Sequence, residues 1–122
     1  MDVQKIDRVP AFTTKDGSEI RELLAYRNSS IRNQSLAEAR LPPGSITIAH
    51  RHRMTEEIYY VLEGEGLVRL GDQSRPVGPG DAIAIPPGTL HQIANAGPTV
   101  LKFLCCCAPA YEDSDTVLDY LA

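Results

Sequence analysis

His50 and His52 are two of only three histidines in the chain, and a single residue separates them. They lie in the segment 45–52, which has the composition of a β-strand. Because side chains alternate between the two faces of a strand, both imidazoles are predicted to share one face. Ile46 and Ile48 have the same parity, which predicts that this face points into the protein.

Glu57 and His91 are predicted to join the two imidazoles. Glu57 begins the next predicted strand, where a turn brings its carboxylate back beside the rings, and His91 begins another strand after a proline-rich turn. Three imidazoles and one carboxylate favour one divalent transition metal ion per chain, either iron, manganese, nickel, copper, cobalt or zinc, over calcium or magnesium. The alternative leaves His50 and His52 as satisfied or solvent-facing rings and His91 as a loop cap.

Two segments resemble the motifs of the cupin family. The first, from Gly44 to Gly64, has the spacing glycine, five residues, His-x-His, four residues, glutamate, six residues and glycine. The second, residues 80–95, has the spacing glycine, five residues, Pro-x-Gly, two residues, histidine, three residues and asparagine. The resemblance implies that the metal ligands are His50, His52, Glu57 and His91. It also selects Glu57 over its neighbour Glu56.

The cupin resemblance implies an all-β jelly-roll barrel, also called a double-stranded β-helix, and often a homodimer that packs an N-terminal strand across its interface. The remaining sequence agrees on a barrel, because nine glycines and nine prolines separate short segments rich in strand-forming residues. Strands are predicted at 9–14, 18–25, 34–41, 45–52, 57–62, 67–70, 81–85, 91–95 and 99–107. Tight hairpins are predicted at Asp16-Gly17 and at 63–66. A helical turn is predicted over 116–121.

Five further side chains are predicted to line a cavity beside the metal, because they have the inward parity of their strands. They are Tyr59, Val61, Ile48, Phe103 and Cys105. Tyr59 can hydrogen-bond a substrate or simply fill the barrel. The consecutive cysteines 105–107 lack the spacing of a disulfide framework and are predicted to be thiols, packed in the core or close to the metal. Glu38 and Arg40 share one face of their strand, and the pattern leaves open whether that face points inward.

The length of 122 residues fits a single domain, residues 1–122. A net charge of −4 leaves no basic surface of the kind that binds nucleic acid. The sequence shows neither a secretory signal nor an apolar run long enough for a bilayer, so it predicts a cytoplasmic protein without a membrane partner.

These features predict a small metalloenzyme that acts on a small polar metabolite. Four protein ligands on a six-coordinate ion leave two positions for a small-molecule ligand or substrate. Such a site suits a dioxygenase or a decarboxylase, or an isomerase that uses the metal as a Lewis acid. The alternative is a non-catalytic module that binds or senses a small ligand in the same site.

Overall fold

The computed structural model describes residues 1–122 as eleven β-strands and two short 3₁₀ helices. The strands are β1 Phe12–Thr13, β2 Glu19–Leu24, β3 Ser35–Leu41, β4 His50–His52, β5 Glu56–Glu63, β6 Gly66–Leu70, β7 Gln73–Val77, β8 Ala82–Ile85, β9 His91–Asn95, β10 Leu101–Ala108 and β11 Thr116–Leu118. The 3₁₀ helices are Ile6–Arg8 and Asp113–Asp115. No helix has the length and apolar character needed to cross a bilayer.

The strands form two sheets whose neighbours are all antiparallel. The larger sheet has the order β1-β2-β3-β10-β5-β8, and the smaller has the order β11-β4-β9-β6-β7. The hydrophobic core contains residues of both sheets, among them Leu101 and Phe103 of the larger and Val68 and Ile93 of the smaller. This arrangement confirms the predicted all-β jelly-roll fold.

Strands β5 and β10 show the alternation that the sequence predicts. On β5, Glu57, Tyr59 and Val61 are buried, whereas Glu56 and Ile58 are exposed. On β10, the odd-numbered residues are buried and the even-numbered ones are half-buried. Because β5 and β10 are neighbours in one sheet, their buried residues share the same face of that sheet, which points into the space between the two sheets.

The hairpin predicted at 63–66 does not form, and this prediction is wrong. Strand β5 pairs with β10 and β8, whereas β6 pairs with β9 and β7, so the chain passes from one sheet to the other at this point. Gly64 has a positive φ of 87°, and a Cβ at this position would lie 2.5 Å from the Val100 carbonyl oxygen. The glycine is required for close passage of the backbone and not for a hairpin turn. The hairpin at Asp16-Gly17 does form and joins β1 to β2.

The alternation predicted for 45–52 holds only at its end. Ile46 is 57% exposed, whereas Thr47 and Ala49 are buried. Regular strand structure begins only at His50, and the preceding residues follow an irregular path with one isolated bridge from Ile46 to Ala94. The predicted alternation of side chains, with Ile46 on the inward face, therefore does not hold before His50.

The tail also differs from its prediction, because Thr116–Leu118 is a strand and not a helical turn. It pairs with β4, and Thr116 lies opposite His52. A 3₁₀ turn does occur, but it precedes the strand at Asp113–Asp115. Strand β7, which was not predicted, contains Pro76; it lies at the edge of the smaller sheet, where a proline is tolerated.

Candidate metal centre

Three histidines converge between the sheets. His50 and His52 lie on β4, and His91 lies on the adjacent β9 directly opposite His50. One ring nitrogen from each histidine lies within 4.8 Å of the corresponding nitrogens of the other two. The three residues are at most 3% exposed. Strand pairing therefore brings together residues that are about forty positions apart in the sequence.

The hydrogen bonds of the three rings fix which nitrogen carries the proton. Nδ1 of His50 lies 2.7 Å from the Ile48 carbonyl oxygen, and Nδ1 of His91 lies 2.9 Å from the Thr89 carbonyl oxygen. A carbonyl oxygen can only accept, so both Nδ1 atoms are donors, and in the neutral rings both Nε2 atoms carry lone pairs.

His52 also has its proton on Nδ1, but there a side chain and not a backbone carbonyl accepts the hydrogen bond. Its Nδ1 lies 3.1 Å from Thr116 Oγ1, and that hydroxyl donates its own hydrogen to the Glu112 carbonyl oxygen at 2.9 Å. Thr116 must therefore accept from His52. All three Nε2 atoms are left free, the arrangement that outer hydrogen bonds impose on metal-ligating imidazoles.

Glu57 approaches the imidazoles from the larger sheet. Its Oε1 atom lies 3.2 Å from His52 Nε2 and 3.5 Å from His91 Nε2. Both Glu57 Oε1 and His91 Nε2 are buried without a hydrogen-bond partner. Lone pairs on imidazole nitrogens and on a carboxylate oxygen repel one another unless a proton or a metal ion lies between them, so these atoms fit a bound metal ion.

The electrostatics favour a positive charge beside Glu57. Burial by itself would raise the pKa of Glu57, but hydrogen bonds and positive charge from the His52 and His91 rings outweigh burial and hold the pKa at about 2. A bound metal ion would supply the same positive charge when the rings are neutral. Burial, together with the neighbouring His91, lowers the pKa of His50. Near neutral pH, the site thus contains an ionised carboxylate and a neutral His50 imidazole, the forms that bind metal.

Cys107 holds the other carboxylate oxygen, since its Sγ atom lies 3.3 Å from Glu57 Oε2 and donates to it. Burial and the nearby Glu57 carboxylate raise the thiol pKa values of both Cys105 and Cys107. Both side chains therefore remain thiols, as the sequence predicts. Cys107 acts on the site by orienting Glu57.

A cavity with about 40 Å³ of free volume opens beside the imidazoles. Three of the side chains that the sequence places along a cavity contribute to its wall, namely Tyr59, Phe103 and Cys105. Val61 instead packs in the core, and Ile48 is half-buried outside the cavity wall. The free volume limits a bound molecule to a small metabolite.

The structure also answers the question left open for Glu38 and Arg40. The inward side chains of β3 are Ala37, Ala39 and Leu41, which line the cavity or the core. Glu38 and Arg40 pair on the opposite face, with Arg40 Nε 2.5 Å from Glu38 Oε1. Arg40 therefore does not enter the cavity.

Two polar residues near the imidazoles were not identified from the sequence. Asp16, in the β1–β2 turn, has its Oδ2 atom 3.6 Å from His50 Nε2, although the sequence indicated only a turn residue. Thr116 orients His52, but its position opposite β4 was hidden by the helix predicted for the tail. In both cases the signal lies in the pairing of distant segments and not in any local motif.

The chain belongs to the cupin family, because the family model for the cupin domain matches residues 37–107. It is 50% identical over 110 residues to uncharacterized protein MJ1618 of Methanocaldococcus jannaschii, a match covering 90% of this chain and 88% of that protein. It is 36% identical over 86 residues to the oxalate-binding protein of Thermotoga maritima, covering 70% of this chain and 71% of that one. The polyketide cyclase RemF of Streptomyces resistomycificus superposes with a TM-score of 0.84 at 26% identity, covering 100% of this chain and 87% of that one.

Proposed function

We propose that this cupin is a small metalloenzyme that binds one divalent transition metal through His50, His52, Glu57 and His91. Its substrate is a small polar metabolite, and its reaction is of the dioxygenase, decarboxylase or isomerase type. The observation that carries the proposal is the convergence of three imidazole nitrogens and an unpartnered carboxylate oxygen beside a cavity. These donors suit iron, manganese, cobalt, nickel, copper or zinc.

The chain's own residues prepare this site for a small ligand. When bound, the metal would supply a Lewis acid and two exchangeable coordination positions. Thr116 and the Ile48 and Thr89 carbonyls hold the imidazoles in their metal-binding tautomer, and Cys107 orients Glu57. Tyr59 and Phe103, whose ring centroids are 4.8 Å apart, form an apolar wall that limits the entry of water.

Two of the three relatives are named for a role, and the two roles differ. One is named for oxalate binding and the other is a polyketide cyclase, an enzyme. The name of the first favours a second candidate function, in which this chain binds or senses a small ligand without converting it.

Elemental analysis of untagged protein, purified without chelator or added metal, tests the proposal when combined with electron paramagnetic resonance. We expect about one transition metal ion per chain, and, for a paramagnetic ion, a spectrum that changes when a small chelating enol, diol or acid is added. Conversion of such a compound, with oxygen uptake for a dioxygenase, supports the enzyme. Tight binding without any conversion supports the binding module, and an absence of metal under all conditions contradicts both.

Cys107→Ala is expected to weaken metal binding about tenfold, because outer partners of ligating groups typically contribute ten- to a hundredfold to affinity. The variant removes the donor to Glu57 Oε2 and leaves that carboxylate free to rotate. Competition with a chromogenic chelator measures the affinity. Cys106→Ala is the matched control, since Cys106 is on the opposite face of the same strand and should bind metal like the wild type. Equal affinities for the two variants would contradict the role of Cys107.

We also propose that the protein is a homodimer that pairs through the outer face of the larger sheet. Ile58, Tyr60 and Leu62 alternate along β5 on this face and are 49%, 41% and 36% exposed. A row of exposed apolar side chains on one face of a sheet is typical of interfaces between copies of a chain. Light scattering should therefore give twice the chain mass of 13.3 kDa.

Tyr60→Glu places a charge at the centre of this face and is expected to reduce the mass to that of one chain at micromolar concentration. Tyr120→Glu is the control, because Tyr120 is 76% exposed in the tail and should leave the dimer intact. A wild-type mass of 13.3 kDa at every concentration would contradict the dimer.

A further inference from the structure

Asp16 presents a carboxylate oxygen to the candidate metal centre from outside the ligand set that the sequence predicts. Its Oδ1 atom accepts three hydrogen bonds, from Thr14 Oγ1 at 2.7 Å, Ser18 Oγ at 2.7 Å and the Ser18 amide at 2.9 Å. These bonds saturate Oδ1. Oδ2 is left to face His50 Nε2 at 3.6 Å.

The turn that carries Asp16 is fixed at several points. Lys15 Nζ donates to the carbonyl oxygens of Asp113 at 3.1 Å and Thr116 at 2.9 Å. The Ile48 amide donates to the Asp16 carbonyl oxygen at 2.8 Å. Because the backbone is held by two distant segments, the Oδ2 atom occupies a defined position beside His50.

Asp16 and Glu57 approach different imidazoles. Glu57 contacts His52 and His91, whereas Asp16 contacts the remaining imidazole, His50. Glu57 Oε1 lies close to two imidazoles, at 3.2 and 3.5 Å, whereas Asp16 Oδ2 lies close to one only, at 3.6 Å. This more peripheral position suits contact with a ligand bound beside His50.

The charges of the cavity wall favour an uncharged ligand. The wall includes three carboxylates, Asp16, Glu22 and Glu57, and no lysine or arginine. Glu22 is paired with Arg27 at 3.2 Å, which leaves the other two to face the centre. These two carboxylates already balance the charge of a divalent ion. A dianion such as oxalate would enter without any compensating cation.

We propose that Asp16 is a specificity-determining residue, whose Oδ2 accepts a hydrogen bond from a hydroxyl group of the metal-bound ligand and repels carboxylate ligands. The site thus takes a neutral hydroxylated chelator, such as an α-hydroxyketone, in preference to oxalate. This inference rests on the proposed function, since it requires a metal at the imidazoles.

Asp16→Asn tests the inference, because it retains an Oδ1 acceptor for Thr14 and Ser18 and replaces Oδ2 with an amide donor. Cobalt(II)-loaded protein is titrated with hydroxyacetone, a neutral α-hydroxyketone, and with oxalate, and binding is followed by the cobalt absorption bands. In Asp16→Asn, we expect the hydroxyacetone affinity to fall about tenfold and the oxalate affinity to rise about tenfold. Glu22→Gln is the matched control, and its two affinities should change less than about threefold.

Unchanged affinities in Asp16→Asn, or equal changes in Glu22→Gln, would overturn the inference. Loss of cobalt from Asp16→Asn would also overturn it, by making Asp16 a metal ligand. A crystal structure of the cobalt-loaded wild type with hydroxyacetone provides a test that needs no variant, and the ligand hydroxyl should lie within hydrogen-bond distance of Asp16 Oδ2. Wild-type protein that fails to retain cobalt contradicts the proposed function itself, whereas cobalt retained without this selectivity contradicts only the role of Asp16.

Discussion

His91→Ala is expected to reduce bound metal from about one ion per chain to less than about a tenth of that value. His91 is fully buried, and its Nε2 atom lies 3.5 Å from Glu57 Oε1 without any hydrogen-bond partner. Removal of the ring takes away one of three nitrogen donors and leaves the carboxylate beside an empty space. Elemental analysis after gel filtration measures the loss, and circular dichroism checks that the barrel is folded.

Arg51→Ala is the matched control for the loss of a ligand. Arg51 lies between the two histidines of β4 and is half-buried on the opposite face of that strand. Its replacement should leave the metal content unchanged. His50→Ala and His52→Ala should behave like His91→Ala, and full metal occupancy in any of the three would contradict the assignment of the site.

Loss of metal should also lower the thermal stability. A ligand present at about a thousand times its dissociation constant stabilises the folded state by about 4 kcal/mol. A chelator should therefore lower the melting temperature of the wild type, and it should have little effect on His91→Ala, which lacks the metal already.

Gly64→Ala is expected to destabilise the protein by at least about 4 kcal/mol. Losses of this size arise when a side chain overpacks its surroundings at a position with a strained backbone. A Cβ at this position would lie 2.5 Å from the Val100 carbonyl oxygen and 2.9 Å from Leu101 Cα. Both are backbone atoms of the segment that enters β10, and they cannot move without disturbing the central strand of the larger sheet. Chemical denaturation measures the difference in the free energy of unfolding.

Gly80→Ala is the control for Gly64→Ala, because it introduces alanine at a positive φ without a close contact to another backbone segment. Gly80 has a φ of +90°, close to the +87° of Gly64, but a Cβ there would meet nothing within 4 Å. Its replacement should cost only the strain of a left-handed alanine, about 1–2 kcal/mol. Equal losses for the two variants would show that the close approach to Val100 contributes nothing.

The sequence was sufficient to predict the jelly-roll fold and to select the residues that converge at the candidate centre. The histidine pair on one strand face depends only on local alternation, and the cupin motifs supply the spacing of Glu57 and His91. Burial of Glu57 and exposure of Glu56 agree with the choice that the motif makes. The metal ligands themselves, the domain count and the cytoplasmic location stay predictions.

The remaining features depend on contacts between segments far apart in the chain. No local pattern shows that the tail pairs with β4 and places Thr116 against His52, or that the β1–β2 turn brings Asp16 to His50. The transfer of the chain between sheets at Gly64 was hidden for a related reason, because a glycine at a hairpin and a glycine at a close crossing look alike in sequence.

The four predicted ligands belong to different sheets, since the three histidines lie in the smaller sheet and Glu57 lies in the larger. An ion shared among them would act as a cross-link between two layers that otherwise adhere through apolar packing. Separation of the two sheets would then require the coordination bonds to break, so the ion would lower the rate of unfolding. The lifetime of the native state, and not only its equilibrium stability, would thus be set by the availability of metal.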